Sequence, residues 1–516
     1  MARYKPYSYG QGKFIPIFFE KQILPGTFEY TLSYLIDNEL DLTVFDSRFN
    51  NDETGAPAYN PKILLKIILF AYSRGIITSR KIAQACRDNI IFMALSADTR
   101  PHFTTIADFT AAMDKEISNL FLQVLLVCDH QQLIGKEMFA IDGCKLPSNA
   151  SKEWSGTKTD FQKKVAKMEA AIGRMIEKHR DLDLSQTEQH IEEKEKQYLD
   201  TLRKQTAKIK KWLDDNDDRT GSSGKPIKSN ITDNESAKMK TSKGVIQGYV
   251  GVSTVDAKNQ VIVNAEAFGQ GQEHNLLAPT IEKVRDNFKS IGSTEDIFKT
   301  TKLTADSGYH SEKNMELVFN EEIDAYIPDS RFRKRDPRFQ DYDRYKERYR
   351  KELRQGTNAQ RLFRPQDFTF ANDLSYCICP AGKRLYRSGA NVKVKDYRAF
   401  KFKGPKSACV PCALRNHCLR YPERTETRQV AYFTGKAANG KQRFTEKMKA
   451  KIDTPTGKAL YGMRLAVGEP PFAHIRSVLR LDRFTLRGKN KVNTQWNLFC
   501  IVHNLKKIHR YGEVFA

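Results

Sequence analysis

The sequence lacks any run of about 18 apolar residues, and its first residues, Met-Ala-Arg-Tyr-Lys-Pro, contain no apolar segment of the kind found in signal peptides. Both absences favour a soluble, cytoplasmic protein over a membrane or secreted one. Cysteine is also sparse, at nine of 516 residues, which does not suggest a secreted disulfide framework. Four cysteines stand singly in apolar surroundings, and we expect them to be buried, reduced thiols: Cys86, Cys128, Cys144 and Cys500.

Acidic residues are in deficit. The chain has 62 Asp and Glu against 86 Lys and Arg, which gives a formal charge of +24 and a pI near 9.5. Such an excess is typical of proteins that bind nucleic acid. A basic protein without such a partner, or one that binds an anionic membrane, is the alternative. Because the basic residues recur in several segments rather than on one amphipathic helix, the sequence favours nucleic acid.

Residues 1–130 are predicted to form a helical N-terminal domain. Pro61 opens a helix with apolar residues at helical spacing, Gly75 ends it, and Ser79 is predicted to cap a second, basic helix. A helix, a glycine turn and a capped basic helix resemble a helix-turn-helix. Helix pairs of this kind are also common as plain packing units, so the pattern alone leaves DNA contact open.

Three acidic residues stand in distinctive local settings. Asp142 follows the apolar run Met-Phe-Ala-Ile, Asp306 follows Lys-Leu-Thr-Ala, and Glu469 lies in a later segment predicted to be helical. We expect each aspartate at the polar end of a short strand. Three carboxylates so placed form an oxygen ligand set for a divalent metal ion. On so basic a chain the natural substrate is a phosphodiester, and the pattern predicts a metal-dependent polynucleotidyl transferase.

The segments between these acids predict an α/β protein with a mixed sheet. Residues 244–255 and 260–267 are predicted to pair as an antiparallel hairpin. Residues 161–215 are Lys- and Glu-rich and helical, and they are best interpreted as a solvated helical hairpin inserted into the sheet domain. His274 is a lone polar histidine after a strand, for which a position near the active site is the less favoured alternative.

A charge-dense segment covers residues 330–370. Its basic residues alternate with Phe and Tyr, a pattern that suits phosphate contact combined with base stacking. A solvated connector has the same composition, and both interpretations stay open. The candidate DNA-binding residues of this segment are Arg331, Arg333, Lys334 and Arg335.

Five of the nine cysteines cluster between Cys377 and Cys418. A Cys-x2-Cys pair can bind one tetrahedral Zn²⁺, and two further thiolates complete its coordination. Cys377 or His417 are alternative ligands, and a reduced, metal-free mini-domain over residues 371–425 is the alternative to a zinc site. The preferred ligand set is Cys379, Cys409, Cys412 and Cys418.

Taken together, these segments resemble the DDE transposases of bacterial insertion sequences. The resemblance rests on Asp-Gly-Cys-Lys-Leu-Pro-Ser-Asn from Asp142, on Ala-Asp-Ser-Gly-Tyr-His around Asp306, and on a Tyr-x2-Arg segment before Glu469. The helical start, the C-terminal residues and the cysteine segment also resemble parts of these enzymes. The chain departs from the family pattern in two places: four residues rather than three separate Arg464 from Glu469, and Arg476 stands where Lys is usual. The Pro470-Pro471 pair also suggests that Glu469 begins a helix rather than lying within one.

The resemblance implies a ribonuclease-H-like mixed sheet built from residues 131–329, with a helical insertion at 158–218, and from residues 426–516. It implies a DNA transposase that cuts at the element ends and joins them to target DNA. Two Mg²⁺ ions about 3.5–4 Å apart, replaceable by Mn²⁺, would be held by the three acids. The resemblance further implies phosphate-binding roles for Tyr461, Arg464, Arg476, Lys506 and Lys507.

The implied partners are double-stranded DNA, both as terminal inverted repeats and as target, and further copies of the chain in a dimer or larger complex at the nucleoid. Two other functions remain open at this stage. A domesticated, non-catalytic DNA-binding protein would keep the charge and the helices without needing all three acids. A nuclease of the same fold would cut DNA without joining ends. Inverted repeats beside the gene would distinguish the first alternative from an active transposase.

Overall fold

The computed structural model describes residues 16–49, 57–181, 189–221, 224, 226–241, 244–339, 362–394, 397–436 and 443–513. The chain divides into two compact units. The first comprises Met1–Ser330 and Met448–Ala516, and the second comprises Arg331–Lys447. Among the described helices, none is both long enough and apolar enough to cross a membrane.

Most strands and helices belong to the first unit. Its strands are β1 (Met138–Pro147), β2 (Ser155–Gly156), β3 (Arg219–Thr220), β4 (Pro226–Ile227), β5 (Ser229–Asn230), β6 (Ala237–Thr241), β7 (Gly244–Asp256), β8 (Ile262–Phe268), β9 (Lys302–Ala305) and β10 (Ala325–Tyr326). Its helices before the second unit are α1 (Phe28–Tyr34), α2 (Pro61–Ser73), α3 (Ser79–Asp88), α4 (Ile90–Leu95), α5 (Phe103–Ala112), α6 (Asp114–His130), α7 (Lys158–Asp181), α8 (Gln189–Asp215), α9 (Leu277–Ser290) and α10 (Glu312–Asn320).

The second unit contains the strands β11 (Thr369–Phe370), β12 (Tyr376–Ile378), β13 (Arg384–Val394), β14 (Tyr397–Lys403) and β15 (Gln429–Lys436) and the short helices α11 (Phe332–Arg335), α12 (Lys406–Cys409) and α13 (Arg415–Cys418). The strands pair antiparallel in chain order, so they form a meander. The chain returns to the first unit within α14 (Phe444–Asp453) and continues as α15 (Pro455–Ala473) and α16 (Lys489–Tyr511).

The main sheet confirms the predicted mixed α/β class. Its order is β10-β9-β1-β7, with β8 and β6 both paired to β7. β7 runs antiparallel to both β1 and β8, whereas β9 runs parallel to β1 and β10 parallel to β9. This order and direction are those of a ribonuclease-H-like sheet. The predicted antiparallel hairpin of β7 and β8 is confirmed as well.

The first helix of the predicted helix-turn-helix is largely buried. Nine of the thirteen residues of α2 are buried, and Tyr72 stacks on Phe499 of α16 at a ring-centroid distance of 4.4 Å. α3 is amphipathic, with Arg80, Lys81 and Arg87 on its exposed side. The N-cap of α3 is Thr78, whose hydroxyl accepts the Lys81 N–H, so the predicted cap was one residue too late. Contact of α3 with DNA stays a prediction.

The C-terminal helix α16 packs closely on the sheet. The Trp496 indole N–H donates to the Val252 carbonyl at 3.1 Å. Its ring lies so near Gly251 that a Cβ there would meet it at 3.1 Å, so a larger residue at 251 would push the helix outward. This contact fixes α16 against β7.

The inserted helical hairpin is confirmed as α7 and α8. Its base is held by an apolar cluster of Phe161, Val165, Ile209 and Trp212, with Phe161 and Trp212 in an edge-to-face contact at 4.8 Å. The rest of the described hairpin surface is mostly exposed and charged, as expected of a solvated insertion.

All nine cysteines are free. Cys86, Cys128 and Cys500 are buried as predicted, and burial raises the pKa of the Cys86 thiol to about 11. Cys144 was predicted to be buried but is only half-buried, because it lines a solvent-filled depression next to Asp142.

Candidate active site

The two aspartates lie side by side on parallel strands. Ile141 of β1 pairs with Ala305 of β9, and each aspartate is the next residue along its strand. Asp306 follows the last residue of β9, as predicted. Asp142 does not end its strand, however, because β1 continues for five more residues against the antiparallel β7. β7 lies about a hundred residues later in the chain. Because β1 pairs with β7 on both sides of Asp142, the strand is longer than its apolar residues Met138 to Ile141 indicate.

Asp142 is the more buried of the two, with 19% of its side chain exposed against 43% for Asp306. Burial raises the pKa of the Asp142 carboxyl above its ordinary value, and the negative charge of Asp306 adds to the rise. Backbone N–H groups fix both side chains: Gly143 donates to Asp142 Oδ1 at 2.8 Å, and Ser307 donates to Asp306 Oδ1 at 2.6 Å.

Arg464 supplies the positive charge that faces both carboxylates. It lies on α15 and is 4% exposed. Its Nη1 donates to Asp142 Oδ2 at 3.0 Å, and its Nη2 lies 4.0 Å from Asp306 Oδ1. Two adjacent carboxylates repel each other, so this guanidinium stabilises their charged forms.

Glu469 lies on the same helix as Arg464 and shares an open depression with Asp142. This depression is lined by Asp142, Gly143, Cys144, Glu469, Phe472, Ala473, Arg476, Ser477 and Asp482. Gly468 places α15 directly over β1, since a Cβ at that position would lie 3.6 Å from Asp142 Cβ. The Glu469 side chain is exposed, so its carboxylate faces the solvent-filled side of the site.

The proline pair lies inside α15, so the expectation that Glu469 begins a helix was wrong. Pro470 has no N–H to donate to the Ala466 carbonyl four residues earlier. The side chain of Gln260, at the tip of the β7–β8 hairpin, donates to that carbonyl instead, at 2.9 Å. After Ala473 the chain makes a π-helical turn, His474–Val478, which carries Arg476.

Two residues beside the aspartates were not singled out in the sequence. The Tyr309 ring is fully buried, and its hydroxyl has no hydrogen-bond partner in the described part of the chain. Burial and the negative charges of Glu273, Asp142 and Asp306 raise the pKa of this hydroxyl well above its ordinary value. Glu273 itself lies 3.4 Å from Lys145 Nζ. The sequence analysis considered the neighbouring His274 as a residue near the active site, but not Glu273 itself. The His274 carbonyl accepts a hydrogen bond from the Asn314 side chain.

No group of three or more His, Cys, Asp or Glu side chains in the described ranges is arranged to hold a metal ion. The donors around Asp142 nevertheless suit Mg²⁺, because they are carboxylate oxygens. A cation, the Arg464 guanidinium, already stands between Asp142 and Asp306. A magnesium ion held by these two carboxylates would compete with Arg464 for them.

The candidate phosphate-binding residues fall into two groups. Tyr461 and Arg464 are buried within the site, and Arg476 is exposed at the edge of the depression. Lys506 and Lys507 do not line this depression. Lys506 donates to the Ser73 carbonyl at 3.2 Å and Lys507 to Gln260 Oε1 at 3.1 Å, and burial lowers the pKa of both amines. These contacts favour a packing role, while phosphate contact stays a prediction.

Only part of the basic segment lies within the described residues. Phe332 is buried, Arg331, Arg333 and Lys334 are exposed, and Arg335 is half-buried. Residues 340–361, which contain the Arg- and Tyr-rich part of this segment, lie outside the described residues.

Four cysteines of the second unit line one small cavity of about 30 Å³: Cys379, Cys409, Cys412 and Cys418. The Lys383 N–H donates to the Cys379 sulfur at 3.4 Å in a tight turn closed by Gly382, which has a φ of +71°. Gly404 leaves room for the Cys409 sulfur, which a Cβ at 404 would strike. The four predicted thiols thus line one cavity, but among the described residues they are not arranged as a metal-binding group. Cys377 is buried in the apolar core instead.

Comparison with known families gives two matches. The family described as "Transposase DDE domain" matches residues 378–509, and the "Transposase domain (DUF772)" family matches residues 18–112. A search of the curated proteins found no match. The first matched segment contains Glu469 and Arg464, whereas Asp142 and Asp306 lie between the two segments.

The mixed α/β architecture is consistent with a nuclease-like transposase fold. Two transposase families, matching separate parts of one chain, support its assignment to the DDE-type transposases of insertion sequences. Transposases act on DNA, and the matches accordingly support a DNA partner.

Proposed function

We propose that this protein cuts DNA at the ends of its element and joins those ends to target DNA, with Asp142, Asp306 and Glu469 as the catalytic acids. The observation that carries the proposal is the adjacency of Asp142 and Asp306 on parallel strands beneath the helix that bears Glu469. Divalent magnesium ions, held by the three acids, would activate the attacking oxygen and stabilise the leaving oxygen.

The reaction needs little covalent chemistry from the protein. In cleavage a water oxygen bonds to phosphorus while the bond to the ester oxygen breaks, which frees a 3′-hydroxyl. In joining, the oxygen of that hydroxyl bonds to the phosphorus of a target phosphodiester while the bond from this phosphorus to the 3′ oxygen of the target strand breaks. The target strand leaves with a free 3′-hydroxyl, and the proton of the attacking hydroxyl passes to solvent. Asp142 and Asp306 stand on a rigid sheet and fix the reacting position, as a precise site requires. Arg476, exposed at the depression, would hold a phosphate near the cut.

The partners of this activity are terminal inverted repeats and target DNA, and the active complex is proposed to contain at least two copies of the chain. The +24 charge supports the DNA partner, because neutralisation of phosphates dominates such affinity. The exposed basic side of α3 and the residues around Arg331 are the proposed contact surfaces.

The second unit is proposed to bind one structural Zn²⁺ through Cys379, Cys409, Cys412 and Cys418. Their shared cavity supports this assignment, and thiolates are the ligands that zinc prefers. Metal analysis of the purified protein should find about one zinc per chain, and a chelator should destabilise the second unit. If the protein folds fully without zinc and its stability does not change with a chelator, the metal-free alternative for this unit is supported.

The proposed function is tested with the full chain and a DNA fragment that contains the inverted repeats flanking its gene. Cleavage at the repeat ends and joining to a plasmid should both require Mg²⁺ or Mn²⁺ and stop with a chelator. Cleavage without joining, under conditions that keep the ends bound, would favour the nuclease alternative. Specific binding with neither reaction would favour the domesticated binding protein.

A further inference from the structure

The sheet of the second unit has an apolar core on one of its two faces. Cys377 of β12, Leu385 of β13 and Phe402 of β14 are buried together in this core. Successive residues of a strand point to opposite faces of a sheet, so the residues on either side of these three lie on the other face. We call that face the open face and define it by six residues: Tyr376, Ile378, Arg384, Tyr386, Lys401 and Lys403.

The strand register places the aromatic and basic residues of the open face next to one another. Tyr376 lies directly opposite Tyr386, and Tyr386 lies directly opposite Lys403. Ile378 and Arg384 form the neighbouring pair along the same two strands. Adjacent strands are about 4.8 Å apart, so the row from Tyr376 to Lys403 is about 10 Å long. Two phenol rings and an ammonium group therefore follow one another across three strands.

The rings of the open face are accessible to solvent. Tyr386 is 50% exposed and Ile378 is 38% exposed. Tyr376 is half-buried, and the Arg384 guanidinium lies 4.0 Å from the centre of its ring. Paired tyrosines on adjacent strands stabilise a sheet modestly, which explains why they are neighbours. That structural role does not require the basic residues around them.

The open face carries positive charge without acidic partners. The strands β12, β13, β14 and β15 contain Lys and Arg but no Asp or Glu. Glu426 lies near Lys403 but pairs with Lys406 instead. Within the described part of the chain, Arg384, Lys401 and Lys403 form no ion pair. A ligand that fits this face combines negative charge with flat apolar surfaces.

We propose that the open face binds single-stranded DNA, with bases stacked on Tyr386 and Tyr376 and phosphates at Lys401 and Lys403. Aromatic side chains beside basic groups are the usual means of binding a single strand, because each base offers a flat face and each phosphate a charge. In a double helix the faces of the bases are covered by their neighbours, so a duplex could use the lysines but not the rings. An acidic protein partner would match the charge but would supply no flat ring for Tyr386.

This inference rests on the proposed function, in which DNA is the substrate, and adds a surface for unpaired strands. Its test is the fluorescence anisotropy of a labelled short oligothymidylate, titrated with the full chain in buffer without Mg²⁺. We expect Tyr386→Leu to weaken binding by about tenfold, because the stacking of one base is lost. Tyr386→Phe keeps the ring and should stay within about twofold of the wild type. The matched control is Tyr421→Leu, at an exposed tyrosine of the same unit outside the strands, and it should bind like the wild type.

The two lysines are tested through the salt dependence of the same titration. For single strands the logarithm of the affinity falls by about 0.7 per phosphate neutralised for each tenfold increase in salt. The double variant Lys401→Gln and Lys403→Gln should therefore lower this slope by about 1.4. Binding of a duplex that contains the terminal repeats should stay within about twofold of the wild type in Tyr386→Leu, since a paired base cannot stack on the ring.

The outcomes separate this inference from the proposed function. A wild type that binds and cuts the duplex ends but does not bind the oligothymidylate overturns the inference and leaves the proposed function intact. Equal binding of the oligothymidylate by Tyr386→Leu and the wild type also overturns it, and so does tighter binding of an oligouridylate, which would assign the face to RNA. A wild type that neither binds nor cuts duplex DNA contradicts the proposed function, and the assignment of this face to DNA fails with it.

Contact with protein is the other occupant that the experiment addresses. If Tyr386→Leu changes the sedimentation of the chain but not its binding of oligothymidylate, the face is a protein contact and the inference is overturned. If Tyr386→Leu does not fold, the salt slope of the double lysine variant decides the outcome: a slope equal to that of the wild type overturns the inference, and a slope lower by about 1.4 supports it.

Discussion

At the scale of single residues, Arg464 determines the electrostatics of the proposed catalytic site. Its guanidinium is buried between Asp142 and Asp306, and it donates a hydrogen bond to the first. Removal of one partner from a buried ion pair leaves the other charge without compensation. The arginine therefore stabilises the fold and also opposes the binding of any other cation to these two carboxylates.

We expect Arg464→Met to lower the free energy of unfolding by about 2–4 kcal/mol in a chelator, because the buried Asp142 carboxylate loses its partner. Added Mg²⁺ should raise the stability of this variant more than that of the wild type. Urea unfolding with and without Mg²⁺ measures both effects. The matched control is Arg476→Met, which changes an exposed arginine of the same depression and should stay within about 0.5 kcal/mol of the wild type. Equal effects of the two variants would contradict the role given to Arg464.

A pair of buried histidines makes stability depend on pH. His503 Nε2 faces the Gln260 carbonyl at 2.9 Å and so carries a proton, which leaves its Nδ1 to accept from His474 Nδ1 at 3.0 Å. Burial lowers the pKa of His474 to about 4 and that of His503 to about 3. Both folded values lie below the unfolded value near 6.5, so the stabilisation exists above that pH and is lost as the pH falls.

The free energy of unfolding should consequently fall by about 2–4 kcal/mol between pH 7 and pH 5 through these two groups. Chemical unfolding at a series of pH values measures the change. His503→Asn removes one titrating group, and we expect its loss over the same interval to be about 2 kcal/mol smaller. An identical pH dependence in the variant and the wild type would show that this pair does not control acid stability.

At the residue scale, motifs that are local in the chain could be identified from the sequence, whereas contacts between distant segments could not. The settings of Asp142 and Asp306 are contiguous in the chain, and so are the thiols at Cys409 and Cys412. The pairing of Arg464 with Asp142 was not predictable, because it depends on how α15 docks on the sheet. Tyr309 and Glu273 were missed for the same reason: their sequence context does not reveal that the fold buries Tyr309 near the aspartates and places the half-buried Glu273 close to it.

At the scale of elements, the β7–β8 hairpin supports the helix that carries Glu469. Gln260 donates to the Ala466 carbonyl that Pro470 cannot serve, and its carbonyl accepts from His503. Proline pairs usually lie at the start of a helix, and the sequence was interpreted accordingly. This rule considers only neighbouring residues and could not include Gln260, which lies about two hundred residues before Ala466 in the chain. The β7–β8 hairpin and the inserted helical hairpin followed local rules and were predicted correctly.

We expect Gln260→Glu to reduce strand joining by about tenfold, because it keeps the size of the side chain but removes the donor to Ala466 and so loosens the position of Glu469. Binding to the DNA ends should not change. The measurement is joining of pre-cut ends at equal DNA occupancy. Gln162→Glu, an exposed position on α7, is the control with the same change of charge. If both variants join ends like the wild type, the hairpin does not position Glu469.

At the scale of the whole molecule, the net charge of +24 should make DNA binding steeply dependent on salt. The logarithm of the affinity is expected to fall by about 0.9 per phosphate neutralised for each tenfold increase in salt. Replacement of Arg331, Arg333, Lys334 and Arg335 by Gln should reduce this slope. The control replaces four exposed lysines of the helical insertion by Gln: Lys163, Lys167, Lys204 and Lys211. Equal slopes for both variants would assign the Arg331 segment to a solvated connector.

The most direct test of the catalytic assignment is joining of pre-cut ends by Asp142→Asn, Asp306→Asn and Glu469→Gln at equal DNA occupancy. Each amide keeps the shape of the side chain but loses the charge that would hold Mg²⁺. We predict that joining falls below detection in all three variants while end binding stays within about twofold of the wild type. Near-normal joining by the Asp142 or Asp306 variant would contradict the assignment and favour a DNA-binding protein without catalysis by these acids.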